Sequence, residues 1–187
     1  MGLSSIQAKH NMIKPEDVVT VTVPDEYIDT IKDNAKKAAI GGRSHVRGSQ
    51  DRKNNLIMDQ IAGQLGEIAG SLFFTGSADG YISARDRRNR SPHRGDDGED
   101  IDGVRCTDIK TSVMRYWPDP LRYRLMVRDD ARRPNWIYVL ALIKEDDALN
   151  VSLVGWAKES DLPKTPYHGD KASLVGAYII MADKLRP

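Results

Sequence analysis

The acidic stretch GDDGEDIDGVRCTDIKTS has side chains suited to metal-dependent chemistry. It ends in the triplet Asp108, Ile109 and Lys110. On a β-strand, residues two apart project to the same face, so Asp108 and Lys110 would lie side by side with Ile109 on the opposite face. A carboxylate can bind a hard divalent cation, and an ammonium group can orient water or offset charge on a phosphoryl oxygen. The ordinary alternative is an exposed ion pair worth less than about 1 kcal/mol.

Two further acids, Asp100 and Asp102, precede this triplet. The pattern EDID predicts a short strand that turns at Gly103, and a hairpin there would bring both acids beside Asp108 and Lys110. Several carboxylates converging near one lysine would repel one another unless a cation neutralised them. The arrangement therefore favours a metal site that uses one of the two upstream aspartates.

A glutamate lies among glycines in the strongest helical segment of the chain. The run GQLGEIAG puts Gly63, Gly66 and Gly70 on one stripe together with Glu67. Each glycine costs about 1 kcal/mol relative to alanine in a helix interior, so the stripe predicts a very close approach by another part of the molecule. Glu67 could face a bound cation there, or it could be a surface residue on a helix whose glycines only permit packing against a sheet.

Helices and strands must position these side chains. Apolar periodicity predicts one helix from Pro24 to about Ala39 and a longer one from about Arg52 to Phe73, after a short strand in DVVTVTV. After TGSADG, strands are predicted in YISA, VRCTDIKTSV, LRYRLMV, NWIYVLALI, NVSLVGWA and LVGAYIIMA. Helices followed by strands predict an α/β (α+β) fold with a mixed central sheet flanked by helices.

Length and composition limit the possible classes of protein. A chain of 187 residues suits a single domain, 1–187, with a helical part at about 15–75 and a sheet part at about 80–187. The single cysteine, Cys106, cannot form an intramolecular disulfide, and no apolar run approaches the roughly 18 residues of a membrane helix. The start, MGLSSIQAKHNM, has no signal-peptide core. We therefore expect a cytoplasmic protein without a membrane partner.

Taken in order, these motifs resemble the PD-(D/E)XK nuclease superfamily. The similarity consists of Glu67 in GQLGEIAG, GDDGED ending in Asp100, TDIKTS, and the apolar strands YVLALI and VSLVGWA. It covers roughly Asn55 to Leu162 and is greatest to small phage and restriction-type endonucleases. The resemblance implies a restriction-endonuclease-like fold and a Mg²⁺- or Mn²⁺-dependent endodeoxyribonuclease in a prokaryotic or phage-infected cell.

The resemblance also implies roles for individual residues. Catalytic roles fall on Glu67, Asp100, Asp108 and Lys110. Glu67, Asp100, Asp108 and the backbone of Ile109 would bind the metal, and Lys110 would position or activate the attacking water. This chain has no proline before Asp100 and only eight residues from Asp100 to Asp108, which is short for the family. Asp102 is therefore the alternative to Asp100 as first ligand.

Basic segments indicate a nucleic-acid partner, with DNA expected rather than RNA. The segment RDRRNRSPHR predicts a polar loop that could grip phosphates through Arg85, Arg87, Arg88, Arg90 and Arg94. A solvated charge run without a partner is the alternative. A second stretch, RYWPDPLRYRLMVRDDARRPNW, mixes arginines such as Arg133 with Tyr116, Trp117 and Trp136, whose rings could stack on unpaired bases.

Other functions remain open at this stage. A catalytically inactive nucleic-acid-binding module on the same fold would retain affinity without turnover. A structural protein with a surface ion-pair cluster would bind neither metal nor DNA. The resemblance further suggests a homodimer, because small members of the superfamily often pair to cut both strands.

Overall fold

The computed structural model describes residues 13–41, 50–90, 99–169 and 174–187. Within these ranges the helices are α1 (Ile28–Gly41), α2 (Gln50–Thr75) and α3 (Asp79–Arg90). The strands are β1 (Val19–Thr22), β2 (Thr107–Met114), β3 (Arg124–Arg128), β4 (Ile137–Lys144), β5 (Asp147–Lys158) and β6 (Ala177–Met181). The chain therefore has the mixed α and β structure that the sequence predicts. None of these helices in the described ranges is long and apolar enough to cross a membrane.

A mixed four-stranded sheet forms the centre of the fold, with the order β1-β5-β4-β2. Strand β2 runs parallel to β4, and the other two pairings are antiparallel. A second sheet pairs β3 with β6 in antiparallel orientation. The strand that carries the Asp-Ile-Lys triplet thus lies at an edge of the central sheet, with one neighbouring strand.

The central sheet is covered by a different layer on each face. Helix α2 covers one face, where Ile68 packs with Ile109 and Val139. The β3–β6 sheet covers the other, where Leu125 packs with Leu140. Because Lys110 is paired in register with Leu140, the side chains of Asp108 and Lys110 are directed to the β3–β6 side. The edge strand therefore has one face toward each layer.

Helix α2 approaches β2 closely at two of its glycines. A Cβ atom on Gly66 would lie 2.0 Å from Thr111 Oγ1, and one on Gly70 would lie 3.0 Å from Ile109 Cδ1. The predicted close approach is confirmed at these two positions. It is wrong for Gly63, since no described atom lies within 4 Å of a Cβ built there.

Helix α3 occupies a segment for which a strand and a loop are predicted. The strand expected in YISA and the loop expected in RDRRNR are both wrong, because the residues of Asp79–Arg90 form one helix. Tyr81 and Ala84, spaced by one helical turn, are buried. The Tyr81 hydroxyl donates to Gln64 Oε1 of α2 at 2.6 Å. These contacts with α2 compensate for the low apolar content of α3.

The expected short strand in EDID is also absent, since residues 99–106 form a loop. Gly103 has a φ of +87°, a left-handed conformation that glycine adopts without steric cost. The loop then returns along β2, and Asp100 N donates to Thr107 O at 3.5 Å. The turn at Gly103 brings Asp100 to the edge strand as predicted, although without a hairpin ladder.

Candidate active site

A cleft of about 180 Å³ lies beside the edge strand β2. Both layers of the fold and the loop 99–106 contribute to its walls. The lining residues are Glu67, Arg88, Asp100, Asp108, Ile109, Lys110, Ala131 and Arg133. All the side chains expected to be catalytic therefore line one cleft, although they come from separate segments of the chain.

Glu67 forms part of the wall on the α2 side and is directed toward α3. It is buried. Arg85 Nη2 donates to Glu67 Oε2 at 2.6 Å, and Arg88 Nη1 lies 3.4 Å from Glu67 Oε1. The glutamate is thus held by two arginines inside the fold and is not a solvated surface residue.

Asp100 is buried where the loop meets β2. Its Oδ2 atom accepts a hydrogen bond from the backbone N–H of Ile109 at 2.6 Å. Its Oδ1 atom accepts one from Arg88 Nη2 at 2.8 Å, and the same nitrogen donates to Glu99 O at 3.0 Å. Arg88 therefore bridges the carboxylates of Glu67 and Asp100.

The environment of Asp100 disfavours its negative charge. Burial raises the pKa of the carboxyl well above its ordinary value, and the charges of Glu67 and Asp108 raise it further. Arg88 and the N–H of Ile109 lower the pKa, but they are outweighed. Burial is thus the main reason that the ionised form of Asp100 is disfavoured, and an added cation would favour the ionised carboxylate.

Asp108 and Lys110 lie on one face of β2, as their spacing predicts. Lys110 Nζ is 2.6 Å from Asp108 Oδ2. Asp108 is buried, whereas the Lys110 side chain is 30% exposed. Ile109 packs in the core on the opposite side of the strand. The ammonium group is therefore held near the cleft opening by a carboxylate deeper inside.

Asp102, the alternative first ligand, is not among the residues that line the cleft. It accepts hydrogen bonds from Ser83 Oγ and Arg87 Nη1, both on α3. The hydrogen bond from Ser83 is the largest cause that lowers the pKa of Asp102. Burial opposes it, and the hydrogen bond and charge of Arg87 lower the pKa further. The geometry thus favours Asp100 over Asp102 as the acid available to the cleft.

Three of the five arginines expected to grip phosphates pair with acidic side chains of this chain instead. Arg85 and Arg88 pair with the cleft acids, and Arg87 pairs with Asp102. Arg90 is exposed at the end of α3, and Arg94 lies outside the described residues. The sequence signal for the pairing of Arg85 and Arg88 with the cleft acids is their spacing from Tyr81. These three residues would lie on one face of a helix.

Arg133 also lines the cleft, although in the sequence it is only one arginine of a long basic stretch. It lies on the wall opposite α2 and α3, next to Ala131. Its guanidinium carbon is 4.8 Å from the centre of the Trp136 ring, a cation–π contact. The cleft thus has an arginine on each side, one engaged with acids and one stacked on an indole.

The donor chemistry of the cleft suits a hard divalent cation. Glu67, Asp100 and Asp108 supply carboxylate oxygens, the ligands that Mg²⁺ and Mn²⁺ prefer. Among the described residues, however, no three acidic, histidine or cysteine side chains are arranged to hold a metal ion as they stand. Arginines face two of these acids and Lys110 faces the third, so metal binding would require cationic side chains to move.

Comparison of the chain with protein-family models, with curated proteins and with solved structures finds no match. A function must therefore be inferred from the chemistry of the cleft.

Proposed function

We propose that this protein is a divalent-metal-dependent nuclease of the PD-(D/E)XK type that hydrolyses phosphodiester bonds in DNA. One observation carries the proposal. The residues that resemble the catalytic set of that superfamily, Glu67, Asp100, Asp108 and Lys110, line a single cleft. They come from a helix, a loop and a strand, so only the folded chain brings them together.

The architecture around the cleft supports the proposal. A mixed sheet covered by α2 on one face, with the Asp-Ile-Lys triplet on an edge strand, is compatible with a restriction-endonuclease-like fold. We therefore assign that fold as part of the proposal. Asp100 lies beside β2, since its carboxylate accepts a hydrogen bond from the Ile109 N–H, although it lies in a loop and not on the strand that the resemblance implies.

Glu67, Asp100 and Asp108 would hold Mg²⁺ or Mn²⁺, together with the backbone of Ile109. When bound, the cation would lower the pKa of a coordinated water and offset charge at the phosphoryl group. The charge balance of the site is consistent with this role, because burial and neighbouring acids raise the pKa of Asp100. A cation coordinated by Asp100 would favour the ionised form of its carboxyl group.

Lys110 would orient the attacking water. Its ammonium group contacts Asp108 at 2.6 Å and is partly exposed at the cleft. An ammonium group has three donors, so contact with one carboxylate leaves donors for a water molecule or a phosphate oxygen. Asp108 would thus bind the cation and also hold the lysine in position.

The wall that carries Arg133 would contact the DNA backbone. Arg133 lines the cleft, and its guanidinium group lies over the Trp136 ring. Arginine recognises phosphate through forked hydrogen bonds, and an indole can stack on an unpaired base. We therefore assign first contact with the polyanion to Arg133.

A binding module without turnover is the second candidate. It is favoured by Arg88, which occupies oxygens of two acids that a nuclease would need for metal. Such a module would bind DNA equally well with and without divalent cations. Metal-dependent cleavage that is abolished by a chelator would distinguish the nuclease from it.

Purified Asp108→Asn and Lys110→Ala variants test the proposal. Each should lose Mg²⁺-dependent DNA cleavage by about 100-fold or more, because an acid or a charge at the reacting centre is removed, while DNA affinity changes little. The exposed pair Asp183 and Lys184, 3.1 Å apart, supplies the matched controls Asp183→Asn and Lys184→Ala. Undiminished cleavage by both cleft variants would reject the assignment. Binding without cleavage by the wild-type protein in Mg²⁺ and Mn²⁺ would favour the binding module.

A further inference from the structure

Arg88 occupies the space between two of the proposed metal ligands. One of its terminal nitrogens is 2.8 Å from Asp100 Oδ1, and the other is 3.4 Å from Glu67 Oε1. The neighbouring Arg87 instead pairs with Asp102, outside the cleft. Of these two consecutive arginines of α3, Arg88 therefore pairs with two buried carboxylates and Arg87 with one outer carboxylate.

The buried acids need a counter-ion when no metal is bound. A buried carboxylate without a partner is strongly destabilising, and Glu67 and Asp100 are both buried. The terminal nitrogens of one guanidinium group can donate to two carboxylates at once, and Arg85 supplies a second positive charge at Glu67. Arg88 therefore stabilises the metal-free cleft.

The same contacts oppose metal binding. A divalent cation and a guanidinium group cannot both occupy the coordination position at Asp100 Oδ1. Arg85, by contrast, contacts Glu67 Oε2 at 2.6 Å and does not bridge to Asp100. If Arg88 moved away from Asp100, Glu67 would therefore still have Arg85 as a cationic partner.

We propose that Arg88 is an exchangeable counter-ion, which pairs with Glu67 and Asp100 in the metal-free protein and leaves Asp100 when a divalent cation binds. This inference rests on the proposed metal site and adds a residue that sets its apparent affinity. Arg88 would act by competing with the cation for Asp100. It links occupancy of the site to the conformation of a side chain on α3.

A purely structural role predicts the opposite effect on metal binding. If Arg88 only held Glu67 and Asp100 in position, its removal would loosen the ligands and weaken the affinity for metal. If it competes with the cation, its removal strengthens that affinity. The direction of the change therefore separates the two roles.

The test is calorimetric titration of the full-length, metal-free protein with Mn²⁺. Arg88→Gln should lower the apparent Kd by about tenfold, because a charge-assisted hydrogen bond to Asp100 no longer has to be broken. Arg88→Lys keeps the charge without the fork, and its affinity should lie between those of wild type and Arg88→Gln. The matched control Arg87→Gln should stay within about twofold of wild type, since Arg87 contacts only the outer acid. Unchanged or weaker Mn²⁺ binding by both Arg88 variants would overturn the inference.

Thermal unfolding provides a second measurement. Metal-free Arg88→Gln should melt below wild type, and saturating Mn²⁺ should reduce that difference, whereas any shift in Arg87→Gln should not depend on Mn²⁺. If wild type and every variant fail to bind millimolar Mn²⁺, the proposed nuclease function fails and the inference fails with it. If wild type binds Mn²⁺ through Asp100, as judged by loss of binding in Asp100→Asn, but Arg88→Gln binds no more tightly, the inference alone fails.

Discussion

Two ion-pair clusters join the same helix to the same loop, and they differ in burial. In the cleft cluster, Arg88 of α3 pairs with Asp100, whose side chain is 7% exposed. In the outer cluster, Arg87 of α3 pairs with Asp102, whose side chain is 29% exposed. The pKa of Asp100 is raised by burial, whereas the pKa of Asp102 is lowered by its hydrogen bonds.

The difference shows that burial and neighbouring charge decide how much an Asp–Arg pair contributes to the stability of the native state. Removing charges from water costs more than their attraction returns unless the remaining hydrogen-bonding capacity is well satisfied. The outer pair avoids most of that cost and stabilises the native state slightly. The cleft pair has the cost of removing its charges from water, and Asp100 is also repelled by Glu67 and Asp108. Such an arrangement is consistent with selection for chemistry at the site.

The largest difference between the two clusters is expected in DNA cleavage, when each aspartate is exchanged for asparagine. Asp100→Asn should reduce Mg²⁺-dependent cleavage by about 100-fold or more, because a proposed metal ligand loses its charge. Asp102→Asn should change cleavage less than about threefold, since Asp102 is outside the cleft lining. Rates of plasmid cleavage by the two purified variants would measure this. A greater loss in Asp102→Asn would reverse the assignment of the first ligand.

The pH dependence of stability should separate the clusters next. The folded pKa of Asp100 lies above its unfolded value, so its stabilising contribution is present below the unfolded value, about 4, and is lost as pH rises through the folded pKa. Metal-free Asp100→Asn should therefore gain stability relative to wild type as pH rises from 4 to 7.

Asp102 should show the opposite trend, because its folded pKa is lowered. Its contribution is present above the unfolded pKa and is lost as pH falls through the folded value. Asp102→Asn should thus be slightly less stable than wild type at neutral pH, by less than about 1 kcal/mol, and equal to it in acid. Urea unfolding at several pH values would measure both differences. Parallel curves for the two variants would contradict the proposed contrast.

The smallest effect is expected in DNA binding, on the wall of the cleft that carries Arg133. Two cation–π pairs can be compared to test whether Arg133 contacts DNA. Arg133 over Trp136 lines the cleft, whereas Arg122 over Trp117, 5.3 Å from the ring centre, does not. Arg133→Gln should weaken DNA binding about threefold to tenfold and reduce the salt dependence by about one phosphate contact. Arg122→Gln should stay within about twofold. Fluorescence anisotropy at several salt concentrations would measure both, and equal losses would indicate a diffuse basic surface.

The elements that support the metal-binding side chains could largely be predicted from sequence. Helix α2 has a long apolar period, and the predicted span of about 52–73 lies inside Gln50–Thr75. The spacing of Asp108 and Lys110 was sufficient to predict a shared face of β2. Both signals are local, since each depends on the geometry of one helix or one strand.

Helix α3 and its ion pairs could not be predicted in this way. Only Tyr81 and Ala84 of this helix are buried, and most of its other residues are polar. Its helical state depends on tertiary contacts, including that of Arg88 with Asp100, twelve residues away. Likewise, Asp100 and Asp102 would share a face on a strand but diverge in a loop, and no local pattern predicts the loop.

The contact of α2 with β2 has a consequence for the length of one acidic side chain. Because Gly66 lies against Thr111, the helix backbone is close to the sheet where Glu67 begins. An aspartate at position 67 would end one carbon–carbon bond, about 1.5 Å, short of the present carboxylate. Glu67→Asp would therefore draw the carboxylate away from Arg85 and Arg88, which it now contacts at 2.6 and 3.4 Å.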